Sequence, residues 1–212
     1  MKKLLIGTAI VLALTFGFAS VIQSDVTQIG VETKDSIREV TILINNEIGQ
    51  DATAFLKATK FTTGTHYRIV IMTPGGNADH VIAIMNQIQH LQRFGAKVTT
   101  ESSVLCHSGG AYIWIMGDER VAHKGDTFMF HEAVWYNQDG TPYSLDGLTP
   151  EMKESLRQTN NTFRQKLLNS IGDNDIVKKL LNPKGNRDDG TNMNWFTADE
   201  MNAMGLVHKL YE

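Results

Sequence analysis

A single cysteine, Cys106, stands among 212 residues, and no stretch concentrates basic charge. The first scarcity rules out an intramolecular disulfide, so the core must hold the fold even in an oxidising compartment. It also rules out paired-cysteine metal sites, and the His, Asp and Glu residues are too scattered to suggest another. The second scarcity, with a formal net charge of −3, removes any electrostatic reason to expect nucleic acid as a partner. The extended apolar run, residues 4–19, falls short of the roughly 20 residues a spanning helix needs. What is present is ordinary: 42% hydrophobic and 20% charged residues describe a globular chain and not a disordered one. The length suits one domain with a substantial core.

The N-terminus stands apart. Lys2 and Lys3 precede the uncharged run 4–19, with small Gly17 and Ala19 at its end and polar sequence after it. This is the order of a secretory signal peptide, cleaved after Ala19. The rival is an uncleaved anchor that attaches the chain to the membrane by residues 4–19. Either way the expected location is exported, periplasmic or anchored facing the exterior. Residues 1–19 are thus read as signal or anchor, 20–37 as a polar linker or arm, and 38–212 as the folded domain.

Strand and helix periodicities alternate through that domain. Residues 39–45 are short and β-branched, as a buried strand is, and Asp51 can cap a helix over 52–60. Residues 68–72 predict a second strand, ending in Thr73-Pro74-Gly75-Gly76, where proline cannot extend a ladder and paired glycines permit positive φ. Val81, Ile84, Met85, Ile88, Leu91 and Phe94 fall on one helix face, and Gly95 stops that helix. Residues 96–100 read as a third strand, 110–116 as a helix buried nearly all round, and 119–122 and 127–131 as two further strands. Residues 135–149 and 182–194 read as loops. Thr149-Pro150-Glu151 opens a long helix to about residue 170, whose mixed, polar faces predict projection or packing on another subunit. Thr197 caps a last short helix ending at Gly205, and 206–210 predict a final strand. Alternating strands and helices argue a single α/β layered domain without internal repeats.

Three stretches carry chemistry. Cys106-His107-Ser108-Gly109-Gly110-Ala111-Tyr112 puts a serine between a strand-like and a helix-like run. A serine hydroxyl attacks only when a nearby base takes its proton, and free amides at a helix start favour negative charge beside it. Taken alone, Ser108 reads first as a helix cap. The Thr73–Gly76 turn offers glycine amides that can point at an oxyanion, donors worth about 2.7–4 kcal/mol each in acyl transfer; alone it is an ordinary strand-to-helix turn. Phe128-Met129-Phe130-His131-Glu132 ends an apolar run in a histidine. That histidine suits a packed core site, and it also has the pKa range of a general base. His107 sits beside Ser108 but points away from it in extended backbone. Cys106 reads as a small buried spacer.

In this order and spacing the three stretches resemble the ClpP-like serine peptidases of the ClpP/crotonase superfamily, over about residues 40–207. The tail adds to the likeness through Trp195-Phe196-Thr197-Ala198-Asp199-Glu200 and Gly205-Leu206-Val207. The resemblance implies a ClpP/crotonase-type α/β fold of repeated β-β-α units. It implies Ser108 as nucleophile, His131 as base, and the amides of Gly76 and Gly109 as oxyanion hole, acting on peptides or unfolded protein segments without a cofactor. It also implies a homo-oligomer, a ring assembled through the long helix. The family places an acid just before the aromatic that opens the tail, and here Met193 takes that place, between Asn192 and Asn194. Asn194 is the candidate third member, Asp188 or Asp189 are alternatives, and the remaining option is that nothing orients the imidazole. Two rival functions follow. One is a catalytically weakened or inactive assembly or binding module. The other is acyl-CoA chemistry on the crotonase plan, which an exported location and the lack of a basic cluster for a phosphorylated cofactor disfavour.

Overall fold

The computed structural model of the chain describes residues 26–34, 37–49, 52–59, 64–137, 141–182 and 193–212. Their strands are β1 (Val26–Lys34), β2 (Ile37–Asn45), β3 (Thr65–Thr73), β4 (Lys97–His107), β5 (Glu119–His123), β6 (Thr127–Phe130), β7 (Asn194–Thr197) and β8 (Lys209–Tyr211). Their helices are α1 (Ala52–Ala58), α2 (Ala78–Arg93), α3 (Gly109–Ile115), α4 (Pro150–Ile171), α5 (Asn174–Leu181) and α6 (Ala198–Ala203). The sheet runs β1-β2-β3-β4-β5-β8, and β6 joins it by pairing with β4 on one side and β7 on the other. The pairs from β2 to β8 along the main path are parallel, as is β4–β6, whereas β1–β2 and β6–β7 are antiparallel. This is a single α/β domain with a mostly parallel sheet, the class that the alternation of periodicities predicts.

Side-chain pattern explains most of it. β3 buries every second residue, Thr65, Tyr67, Ile69, Ile71 and Thr73, the period-2 signature of a strand with one fully covered face. α2 is capped by the Asn77 side chain, which accepts from the Asp79 and His80 amides, and it buries Val81, Ile84, Met85, Ile88 and Leu91. α3 is buried at all seven positions, as an all-apolar helix must be. α4 has Thr149 as cap, proline in its first turn and Gly172 in the left-handed conformation at its end. Of its 22 residues only Phe163, Lys166 and Leu167 are buried, so its N-terminal half projects.

Two readings change. Residues 26–34, assigned from sequence to a linker or arm, form strand β1 on the antiparallel edge of β2. The register slips between Gln28 and Gly30, and such a bulge breaks the alternation that marks a strand in sequence. β4 also runs on from residue 100 to His107 through a kink. Ile71 pairs with Ser102 but Thr73 with Cys106, so three β4 residues stand opposite one of β3. Val104, 63% exposed and with φ of 64°, sits at the kink. Before it β4 pairs with β5, and after it with β6. Asp126 holds the bend: its buried carboxylate accepts from the Val104 amide at 2.7 Å, the His123 amide at 2.8 Å and the Ser102 hydroxyl at 2.5 Å. Residues 1–19 lie outside the described residues, among which no helix is long and apolar enough to cross a membrane.

Candidate active site

Parallel strands end on the same side, and their carboxyl ends are where an open α/β sheet binds ligands. β3 ends at the Thr73–Gly76 turn, kinked β4 delivers Ser108, and β6, alongside it, delivers His131. Ser108 has φ of 50° and ψ of −120°, and its hydroxyl makes no capping bond to α3. A helix cap sits in extended backbone and accepts from the first turn; Ser108 does neither. A non-glycine residue in such a conformation is strained by roughly 1–3 kcal/mol. Its amide donates to Met129 O at 2.7 Å, which locks the turn against β6. The hydroxyl instead meets the His131 ring, with Oγ 2.6 Å from Nε2.

His131 follows the last ladder pair of β6, Phe130 with Asn194. Its carbonyl accepts the Tyr112 hydroxyl at 2.9 Å, and two residues on the Ala133 amide donates to Asn160 Oδ1 at 2.7 Å. Burial pushes the imidazole below its usual pKa, and a backbone hydrogen bond with Glu132 acts in the opposite sense. The ring is therefore neutral at pH 7, the state in which Nε2 can accept the serine proton.

The glycine turn closes the third side. Ile48 N donates to Gly75 O at 2.7 Å and Asn77 N to Ile48 O at 2.8 Å. Thr73 Oγ1 donates to Asn46 O and accepts from Gly75 N, the latter at 3.1 Å. Gly75, with φ of 109°, lies so close to Ser108 that a Cβ there would stand 2.5 Å from Ser108 Cβ. At Gly76, with φ of 151°, a Cβ would overlap the Ile48 backbone. Both positions therefore require glycine. The Gly76 and Gly109 amides have no acceptor among the described residues, and Gly75, next to Gly76, packs against Ser108 and the Gly109 amide.

No family model matches the chain, and no curated protein matches it in sequence. Solved structures match it in shape. A substituted ClpP1 from Listeria monocytogenes aligns with a TM-score of 0.60 at 16% identity, over 81% of this chain and 91% of that one. The ClpP protease catalytic domain from Plasmodium falciparum aligns with a TM-score of 0.58 at 16% identity, over 80% and 83%. The fold is ClpP-like.

On this ClpP-like frame Ser108, His131, Gly76 and Gly109 come together, and Asn194 does not join them. The Asn194 side chain is buried, and its Nδ2 donates to Leu180 O at 2.9 Å. The register explains why: Asn194 pairs with core residue Phe130, and directly opposed residues share a face while their neighbours take the other. The ladder ends at that pair; its register, extended by one residue, would bring Met193 opposite His131. Asp188 and Asp189 lie outside the described residues. His107 points away from the dyad, with Nε2 2.8 Å from Thr127 Oγ1 and its ring edge-on to Trp195. Cys106 is fully buried, and its thiol pKa is pushed well up by burial and then by Asp126, which leaves it no nucleophile. Gly75 was singled out from sequence only as part of the Thr73–Gly76 turn, and Asp126 not at all. The Gly75-Gly76 doublet carried the first in plain view; Asp126 sits in a charged turn that marks nothing by itself. Among the described residues no group of His, Cys, Asp and Glu converges to hold a metal ion.

Proposed function

We propose that the chain is a serine peptidase that cleaves peptides or unfolded protein segments through an acyl-enzyme. One observation carries the reading: a strained Ser108 that gives up helix capping and sets its hydroxyl 2.6 Å from His131 Nε2. Ser108 Oγ attacks the scissile carbonyl carbon while its proton passes to Nε2. The carbonyl oxygen, now negative, takes the Gly76 and Gly109 amides. Collapse breaks the C–N bond, the proton on Nε2 goes to the leaving amine, and the acyl group stays on Oγ. Water then attacks the ester with His131 again as base, which releases the acid and restores the serine. This cycle needs the other imidazole proton on Nδ1, the tautomer that leaves Nε2 free to accept.

The peptide substrate and a homo-oligomeric state are supported by the ClpP-like fold, and the projecting half of α4 offers a surface for self-assembly. Export, or anchoring by residues 4–19, is supported by the Lys2-Lys3 and apolar-run pattern. An exported enzyme has no ATP-driven unfoldase beside it, so its substrates would be short or already unfolded. A fluorophosphonate probe tests the chemistry. Labelling is expected at Ser108, absent in Ser108→Ala, and slowed about 10²-fold or more in His131→Ala. Labelling that persists undiminished in Ser108→Ala, or no labelling of the wild type, would overturn the proposal and favour a binding module.

A further inference from the structure

Tyr112 touches both halves of the dyad through its own two donors. Its amide donates to Ser108 O at 3.2 Å, the first helical bond of α3, and its hydroxyl donates to His131 O at 2.9 Å. The ring that spans them is 2% exposed, stacked on Phe163 of α4 at 4.4 Å between centroids, and edge-on to Phe130 at 5.6 Å. His131 lies beyond the last ladder pair of β6, so no strand partner holds its carbonyl. No carboxylate of the described residues is bonded to its imidazole.

We infer that Tyr112 is the positioning residue of the dyad, holding His131 to Ser108 through the backbone where an acid would otherwise hold the ring. The inference rests on the serine-hydrolase reading for its catalytic consequence, though not for its geometry. Without the hydroxyl the His131 carbonyl loses its buried donor, and besides the Ser108 contact itself the residue keeps the β6 end and Asn160 at Ala133 as its holds. A base displaced by a fraction of an ångström takes the serine proton less often, whereas substrate binding is untouched. Tyr112→Phe isolates the effect, because it keeps the stacking and the amide bond and deletes one oxygen.

The test uses the full chain with two readouts. In Tyr112→Phe, fluorophosphonate labelling and kcat for a peptide should fall about tenfold with KM unchanged. The His131 imidazole, followed by nitrogen-detected NMR titration, should shift, and the titration difference that Ser108→Ala produces in the wild type should vanish. Asp173→Ala, which removes the α5 cap and no bond to Ser108, His131 or Tyr112, serves as a control for general destabilisation. Wild-type titration and labelling in Tyr112→Phe would overturn the inference, as would an equal fall in Asp173→Ala. If the wild type does not label at all, the hydrolase reading fails, and the imidazole titration alone still decides the role of Tyr112.

Discussion

Met193 stands where the β6–β7 register, continued one pair beyond Phe130 and Asn194, reaches the backbone opposite His131. A thioether there neither charges nor orients an imidazole, and burial, opposed in part by a backbone hydrogen bond with Glu132, lowers the His131 pKa from its ordinary value. The labelling rate of the wild type should therefore rise with pH along a limb centred below about 6.5, because only neutral His131 accepts the serine proton. Met193→Asp should change both features. An ionised carboxylate beside the ring favours the imidazolium, which raises its pKa, and it binds Nδ1–H, which fixes the productive tautomer. A limb moved to higher pH and a plateau raised about tenfold or more are expected in the pH–rate profile; an unmoved limb would show that Met193 does not face the ring. Ser108, His131 and the Gly75-Gly76 turn could be picked out as candidates at this scale because each lies at a strand end that local pattern marks. Asn194 was misplaced because the face a β-residue takes depends on register parity, which one residue of uncertainty inverts.

At the scale of elements, the kink in β4 decides whether those residues meet. A strand that kept straight pairing from Lys97 to His107 would not leave β5 for β6. The three donors converging on Asp126 hold that change of partner in place. Removing the carboxylate leaves the Ser102 hydroxyl and two amides without their acceptor, each a loss of about 1 kcal/mol or more when desolvated. Asp126→Ala should thus lose about 2–4 kcal/mol in urea unfolding, with slower Ser108 labelling even under folded conditions, because His131 follows β6. Stability within about 0.5 kcal/mol of wild type would remove Asp126 from this role. Nothing in Lys124-Gly125-Asp126 announces it. β1 escaped notice for a related reason: a bulged edge strand is held largely by backbone bonds and shows little side-chain periodicity. By contrast α2, α3 and α4 were readable nearly to their ends, since caps and apolar faces are local properties.

Across the whole molecule four histidines share one electrostatic tendency. His66, His107, His131 and His208 all have pKa values lowered first by burial. The unfolded chain takes up protons at these sites as pH falls below about 6.5, while the folded chain refuses them until lower pH. Folding stability is therefore complete above that range and declines as pH falls through it toward the folded values. Glu119 acts in a separate window. Bonding to Lys209 and then Lys97 holds it near about 2, so its contribution is lost only as pH drops from about 4.5 toward that value. Melting temperatures between pH 7.5 and 5.0 should fall steadily, and a flat profile there would contradict neutral burial of these rings.

The sequence by itself determined the α/β class, five of the six described helices, and the candidate stretches that carry Ser108, His131 and the Gly75-Gly76 turn. These depend on residue type and on spacing within a turn or a strand, which the chain carries locally. Only the tertiary structure decided that Ser108 is strained and not a cap, that Asn194 turns into the core, that the β6–β7 ladder ends before His131, and that the Tyr112 hydroxyl holds the His131 backbone. Each of these joins elements through strand register or helix packing, and the geometry between distant segments is set by the core they share and not by the residues between them.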